Sequence, residues 1–161
     1  MTVTIRKLER EILASGGQVC ILTTNSGDPE NSNLVAPHSN RELLFLDNAV
    51  PISFAAGYSM GVGLSKSVRR KILEFDPTII HITAPDLTCL HVMTFARRWK
   101  IPLMGTYHSN IPDYMLFVPG MRWLKPVLEF LFRHMYNFLL VLYVPTPFIK
   151  NTLIEQQQMD R

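Results

Sequence analysis

The chain has 161 residues, of which 47% are hydrophobic and 18% are charged, and its formal net charge is +3. This length suits one globular domain or one domain of a larger protein, and a chain of this size forms a core without a scaffold of disulfides or metal ions. The composition excludes collagen, coiled coil and intrinsic disorder. Because the charged fraction is below the roughly 25% of an average domain, the chain has unusually much apolar surface to cover.

Cysteine usage, hydropathy and charge limit the compartments and partners to be expected for this protein. Cys20 and Cys89 lie far apart in apolar runs, which fits a reducing compartment and gives no metal-binding or redox spacing. The first residues lack the continuous apolar stretch of a signal peptide. The most apolar region, 127–144, is interrupted by charged residues and falls short of the roughly 20 clean residues that cross a bilayer. A pI near 9 favours anionic partners but does not choose between nucleic acid and lipid.

The first half of the chain mixes helical and strand-like patterns. In order, it predicts a helix at 2–15, a strand at 18–23, a polar surface loop at 25–41, strands at 42–46 and 50–55, a mobile connector at 57–63 and a basic helix at 65–74. Asp76-Pro77 ends the last of these helices.

The second half alternates regularly. It predicts a strand at 78–83, a helix at 86–99, a strand at 102–106, a long loop at 107–120, an apolar helix at 121–138, a strand at 139–144 and a helix from 148. Nearly continuous apolar strands separated by helices are typical of a parallel sheet buried on both faces. The sequence therefore predicts an α/β fold, a Rossmann-like parallel sheet with helices on both faces.

That fold places ligands outside the carboxyl ends of the strands. His108 follows a predicted strand directly, and polar neighbours there can complete a cage of hydrogen bonds around a sugar-like substrate. These neighbours are Thr106, Tyr107, Ser109, Asn110, Asp113 and Tyr114. We predict His108 as the catalytic residue and its neighbours as substrate-binding residues; the alternative is a loop histidine packed on its own backbone.

For each of two further residues, His81 and Asp86, the sequence is compatible with two roles. His81 lies within or at the end of a strand and either lines the site or is a hydrogen-bonded core histidine. Asp86 either binds a substrate hydroxyl or complements the start of the following helix, and the helix role is favoured. The other histidines, His38, His91 and His134, are predicted to be peripheral. No metal-ligand spacing, phosphate-binding loop or nucleophile elbow occurs, so we predict no metal site and no classical dinucleotide, P-loop or hydrolase function.

The apolar helix at 121–138 carries more aromatic surface than one buried face needs. Its predicted core stripe is Leu124, Val127, Leu128, Leu131 and Met135. Its predicted membrane-contact residues are Trp123, Lys125, Phe132 and Arg133, since an aromatic and basic rim can rest on an anionic bilayer. Packing of this extra face on another domain is the alternative.

The segment 75–114 resembles the amino-terminal domain of the retaining glycosyltransferases of family four, which have the GT-B fold. The resemblance rests on Phe75-Asp-Pro77 before the strand that ends in His81, on Ile101-Pro102, on Thr106-Tyr-His-Ser109, and on Val144-Pro-Thr-Pro147 before a helix. Within the family, the stretch 106–114 is most similar to the sulfoquinovosyltransferases that make sulfolipid in plants and algae, and to bacterial mannosyltransferases with lipid acceptors.

The resemblance implies a role for each matching residue. It implies that His108 lies in the cleft beside the transferred sugar, and that His81 and the region of Asp86 lie on the acceptor side. It further implies that a nucleotide sugar serves as donor, that the anomeric configuration is retained and that no metal is required. His108 would then supply orientation and charge stabilisation rather than a proton relay.

The resemblance also sets expectations about the rest of the protein. Family members begin with a strand and a Gly-rich loop and carry a second domain that holds the nucleotide sugar, so this chain resembles an acceptor-side domain without them. We expect sugar transfer to a lipid, with sulfoquinovosyl transfer to diacylglycerol favoured, at a plastid membrane or on the cytoplasmic face of a membrane, and no nucleic acid partner. The alternative is an inactive fragment or paralogue that binds a membrane or a protein.

Overall fold

The computed structural model describes residues 2–24, 40–51, 59–83, 86–108 and 110–156. Its helices are α1 (Thr2–Ala14), α2 (Lys66–Phe75), α3 (Leu87–Trp99), α4 (Ile111–Tyr114), α5 (Leu124–Asn137) and α6 (Pro147–Gln156). Its strands are β1 (Val19–Thr24), β2 (Arg41–Leu46), β3 (Ala49–Pro51), β4 (Ser59–Gly61), β5 (Ile80–Ile82), β6 (Leu103–Thr106) and β7 (Val141–Tyr143). Most of the predicted loop at 25–41 lies outside the described residues.

The chain divides into two compact units. The first comprises Met1–Asp76 with Asp86–Thr88, and the second comprises Pro77–Pro85 with Cys89–Arg161. Parallel strands are flanked by helices in both, which confirms the predicted Rossmann-like α/β class. The parallel strands form a β1–β2 pair in the first unit and a three-stranded β5–β6–β7 sheet in the second.

In the first unit, β1 and β2 run parallel, with Val19 beside Arg41 and Thr24 beside Leu46. The core on this pair is made of aliphatic side chains from β2 and from α2 with its preceding turn. These buried residues are Leu44, Leu46, Leu64, Val68 and Ile72. Val68 and Ile72 are four residues apart, so they lie on one face of α2.

Both ends of helix α2 are capped. The hydroxyl of Ser65 accepts a hydrogen bond from the backbone N–H of Val68 at 3.2 Å. Asp47 accepts hydrogen bonds from the hydroxyls of Ser65 and Ser67, and these bonds lower the pKa of the Asp47 carboxyl. Asp76 ends the helix in the left-handed conformation at φ 52°, at the Asp-Pro pair where the sequence predicted the stop.

The predicted mobile connector at 57–63 is wrong where the structure describes it. Ser59–Gly61 is strand β4, which pairs antiparallel with β3. Gly61 is buried, and a Cβ atom there would lie 2.7 Å from Cδ1 of Leu46. The glycine is therefore needed for close packing rather than for mobility.

In the second unit, β6 is the central strand, with β5 and β7 parallel on either side. His81 lies beside Met104, and Thr106 lies beside Tyr143. Because side chains alternate along a strand, these four residues share one face of the sheet. The other face carries the buried side chains of Ile82 and Leu103 and the buried glycine Gly105.

Helix α3 follows its predicted pattern. The side chains predicted to lie on one side are all buried, namely Cys89, Val92, Met93 and Ala96. The helix is followed by Lys100 in the left-handed conformation at φ 56°, and the next N–H, of Ile101, donates to the carbonyl of Ala96 at 2.9 Å. This closing geometry usually uses glycine, so Lys100 is a strained helix end.

Candidate functional site

The polar face of the β5–β6–β7 sheet brings three side chains together at the carboxyl ends of the strands. Nε2 of His81 lies 2.8 Å from Oγ1 of Thr106, a hydrogen bond whose donor depends on the imidazole tautomer. The ring of Tyr143 lies 6.2 Å from the ring of His81 between centroids. Substrates of open α/β sheets bind at this edge, so these residues are well placed to contact one.

His108 completes this group, which we call the strand-end cluster: His81, Thr106, His108 and Tyr143. His108 follows β6 by two residues and is half-buried. Burial lowers the pKa of His81, and the nearby His108 lowers it further. Both effects disfavour the imidazolium, so His81 is uncharged at neutral pH. His81 lies on the face of the sheet that carries Thr106 and Tyr143, where it is hydrogen-bonded and half-exposed, and its role in the site stays a prediction.

The side chain of Tyr107 is buried against α5, and its predicted role in substrate binding stays a prediction. Its side chain is only 5% exposed and packs edge-on against Tyr136 of α5, with ring centroids 5.8 Å apart. Burial, followed by the charge of Asp113, raises the pKa of the Tyr107 hydroxyl. Alternation between Thr106 and Tyr107 explains the outcome, because neighbouring residues of an extended chain face opposite ways.

Asn110 and Asp113, both predicted to bind substrate, are held in a network with α5. Asn110 donates from its side-chain amide to the Asp113 carboxylate. Nζ of Lys125 donates to Oδ1 of Asp113 and to Oε1 of Glu129, each at 2.5 Å. We call these four residues the Lys125 network. It ties α4 to α5 and raises the pKa of Lys125, mainly through the bond to Asp113 and then through that to Glu129.

Three predicted binding residues remain, and the outcome differs for each. The Tyr114 side chain is exposed. Ser109 lies outside the described residues. Asp86 belongs to the first compact unit, where its Oδ2 accepts a hydrogen bond from the N–H of Gly61 at 3.0 Å. This bond anchors the end of β4, a role that the sequence did not indicate.

Helix α5 presents a different face from the one predicted. Phe132, predicted to contact a membrane, is 4% exposed and packs edge-on against Tyr136, so that prediction is wrong. Trp123, Val127 and Phe130 follow one another at spacings of four and three residues and are 68%, 52% and 65% exposed. We call these three residues the outer stripe. Val127 was predicted in the core, whereas Met135 of the same predicted stripe is buried.

Basic residues accompany the outer stripe. The guanidinium carbon of Arg133 lies 5.7 Å from the ring centroid of Phe130, a cation–π contact. Nε of Arg122 donates to the carbonyl of Leu116 at 3.3 Å, just before the exposed ring of Phe117. Lys125, also predicted to contact a membrane, is engaged in the Lys125 network instead.

Tyr143 is the functional candidate that sequence reasoning missed. It ends β7, and the parallel register places it beside Thr106. The usable signal was its position at the end of the predicted strand 139–144, the same criterion that selected His108. Without the register, the sequence does not say which strand lies next to β6.

Two kinds of feature, a membrane-spanning helix and a metal-binding cluster, are absent from the described part of the chain. No helix there is long and apolar enough to cross a membrane. No three His, Cys, Asp or Glu side chains there gather as they would around a metal ion.

Comparison with protein families identifies the class of this domain. The family described as Glycosyltransferase Family 4 matches residues 1–161, the whole chain. The chain belongs to that family, as its resemblance in the segment 75–114 predicted. Parallel strands flanked by helices fit the Rossmann-like half of a GT-B enzyme.

A particular relative is the protein named sulfoquinovosyl transferase SQD2 of Arabidopsis thaliana. It is 24% identical to this chain over 106 residues, which cover 66% of this chain and 19% of that protein. The matched part therefore spans about a fifth of the relative's length. No solved structure matches the chain.

Proposed function

We propose that this chain is the acceptor-side domain of a glycosyltransferase that moves a sugar from a nucleotide-sugar donor to a lipid hydroxyl with retention. The observation that carries this proposal is the strand-end cluster, which gathers two imidazoles, a hydroxyl and a phenol at the carboxyl edge of a parallel sheet in a family 4 chain. Similarity to a sulfoquinovosyl transferase supports sulfoquinovosyl transfer to diacylglycerol as the favoured reaction.

Within this function, His108 orients the reacting sugar and stabilises charge that develops as the donor bond breaks. Its position directly after β6 fixes its backbone to a rigid strand, and holding reacting groups in place is a major source of rate enhancement. Developing charge is stabilised most by groups that are already aligned before the reaction. Tyr143 and Thr106 supply hydroxyls that can bind a sugar or an acceptor from the same edge.

The outer stripe supports the lipid part of the proposal. An exposed aromatic and aliphatic row with arginines beside it is suited to the interface between headgroups and acyl chains. A domain resting on that interface has direct access to lipid hydroxyls. Location at a membrane surface, in a plastid or on the cytoplasmic face of another membrane, belongs to the same proposal.

A transfer assay tests the function. The full-length protein is incubated with vesicles that contain diacylglycerol and with nucleotide-activated sulfoquinovose, glucose or mannose, and lipid products are identified by mass spectrometry. We expect one sugar to be transferred with its anomeric configuration retained. His108→Ala should lower kcat/KM by about a hundredfold, in the range for loss of a positioned charge-stabilising group.

His134→Ala is the matched control, because His134 is an exposed histidine on α5. It should retain the activity of the unaltered protein. Absence of transfer from every donor would contradict the proposed function, and transfer only to water-soluble acceptors would contradict its lipid part. Equal rates for His108→Ala and the unaltered protein would remove His108 from the site.

A second candidate function is a membrane- or protein-binding module without catalysis. The outer stripe favours it, since three large apolar side chains exposed on one helix face form a surface suited to binding. Membrane binding that depends on Trp123, in a protein that transfers no sugar, would select this function over the first.

A further inference from the structure

The hydrogen bond between His81 and Thr106 joins two neighbouring strands at the candidate site. Nε2 and Oγ1 are 2.8 Å apart, a normal length for a hydrogen bond between these groups. Thr106 lies two residues before His108 on the same strand and its extension, so the threonine hydroxyl and the predicted catalytic histidine share one side of the chain. Any substrate that reaches His108 along this edge passes close to Oγ1.

A threonine hydroxyl has one hydrogen to donate and two lone pairs that accept. When the neutral imidazole of His81 accepts at Nε2, it takes the single Thr106 hydrogen, and Oγ1 faces substrate only as an acceptor. When His81 is protonated, Nε2–H must donate to Oγ1. The threonine O–H then donates to solvent or substrate instead. Neutral His81 accepts from Thr106 only in the tautomer that carries its hydrogen on Nδ1, and protonation removes that state. The form of the imidazole thus sets whether Thr106 donates to His81 or accepts from it.

We propose that His81 is a positioning residue that holds Thr106 as a hydrogen-bond acceptor for the incoming acceptor hydroxyl. This inference rests on the proposed function, because it gives Thr106 a hydroxyl-bearing substrate to bind. An acceptor hydroxyl whose hydrogen points to Thr106 has its oxygen lone pairs directed away from that bond, available for attack on the sugar.

The surroundings of His81 favour the neutral imidazole, which is the only form in which Nε2 can accept a hydrogen bond. Within the described part of the chain, the titratable groups that face it are His108, which follows β6, and Tyr143 at the end of β7. Partial burial and the charge of His108 both lower the pKa of His81 below its ordinary value of 6.5. Acid therefore removes the accepting state of Nε2, and the hydrogen bond then runs from His81 to Thr106.

Kinetics of the full-length protein test this inference at pH 8 and across the acid range. His81→Ala and Thr106→Val should each raise the KM for the acceptor by about tenfold, the effect of losing one hydrogen bond to a substrate. The double variant should be no worse than either single one, because the two residues act as a unit. Thr106→Ser keeps the hydroxyl and should retain near-normal KM.

The pH profile separates positioning from a merely structural role. In the unaltered protein, the KM for the acceptor should rise in acid below the pKa of His81, and this rise should be absent in His81→Ala and Thr106→Val. Multiplicative effects of the two single substitutions, or an unchanged acid rise in His81→Ala, would overturn the inference.

Nuclear magnetic resonance gives a readout that does not need activity. The ¹⁵N resonance of Nε2 in His81 should shift in Thr106→Val and stay in place in Thr106→Ser. That result in a protein without transferase activity would refute the proposed function while the hydrogen-bonded pair stands. Activity with no difference between the two Thr106 variants in resonance or KM would refute the positioning role alone.

Discussion

Glu9 and Arg41 form an ion pair that links α1 to β2 within the first unit. Their side chains are only 12% and 8% exposed, so neither charge is well hydrated. Removing one member of such a pair leaves the other charge buried without a counterion. The pair therefore matters more for stability than an exposed ion pair such as Arg70–Glu74 in α2.

We predict that Glu9→Ala lowers the free energy of unfolding by about 3 kcal/mol, the lower end of the range for breaking a buried pair. Urea denaturation followed by circular dichroism measures it. Glu11→Ala, an exposed glutamate on the same helix, is the control and should change stability by less than about 0.5 kcal/mol. Equal losses for the two variants would show that the Glu9 charge is not buried with Arg41.

At a helix end, we predict a substitution that raises the free energy of unfolding instead of lowering it. Lys100 follows α3 with φ 56°, a conformation in which a side chain costs energy and glycine does not. Lys100→Gly should raise the free energy of unfolding by about 0.5–1 kcal/mol, seen as a higher urea midpoint with an unchanged slope. Asp76→Gly, at φ 52°, should gain less, because aspartate tolerates the left-handed region better than lysine.

The Lys125 network connects α4 and α5 through one ammonium and two carboxylates. Hydrogen bonds to Asp113 and Glu129 raise the pKa of Lys125 above its ordinary value of 10.5. A lysine whose pKa is raised in the folded protein contributes stability that is fully present at pH values below its ordinary pKa. That stability is lost as the pH rises through the raised pKa. The Lys125 charge therefore stabilises the protein at neutral pH, and this contribution is lost in strong alkali.

Lys125→Met should lower the free energy of unfolding on the order of 1 kcal/mol at pH 7, since the ion pairs are partly exposed. The difference in Tm between the variant and the unaltered protein should shrink as pH rises beyond 10.5. Lys150→Met, an exposed lysine on α6, is the control. A Tm difference that stays constant through the alkaline range would contradict the link to the Lys125 charge.

Element types were largely predictable from periodicity, and contacts between elements were not. The sequence pattern located α2 and α3 within one or two residues, because buried apolar residues recur at helical spacing in both. Helix α5 carries large apolar residues on more than one face, so periodicity could not fix which face is buried. Val127 and Phe132 were consequently assigned to the wrong sides.

For the candidate site too, one part was predictable from the sequence and another part was not. His108 was predictable from its place after a strand, because strand ends follow from the local pattern. The burial of Tyr107 and the pairing of His81 with Thr106 depend on the phase and register of short strands, and β5 has only three residues. A shift of one residue reverses every side chain, so local patterns cannot settle such contacts.

At the scale of the whole molecule, the apolar surplus of the composition is visible on the surface. The outer stripe of Trp123, Val127 and Phe130 faces water, and the arginines Arg122 and Arg133 lie at or beside it. The formal net charge of +3 adds a weak attraction to anionic surfaces. These features combine apolar insertion with electrostatic attraction, the two contributions that bring proteins to lipid interfaces.

We predict that the full-length protein floats with phosphatidylcholine vesicles that contain an anionic lipid, and less with vesicles that lack it. Trp123→Glu should lower the bound fraction by about tenfold, because it removes a large apolar side chain from the interface and adds like charge. Arg133→Gln should instead weaken the dependence of binding on salt. Trp99→Glu, at a half-exposed tryptophan on α3, is the matched control, and equal losses in Trp99→Glu and Trp123→Glu would place the membrane contact elsewhere.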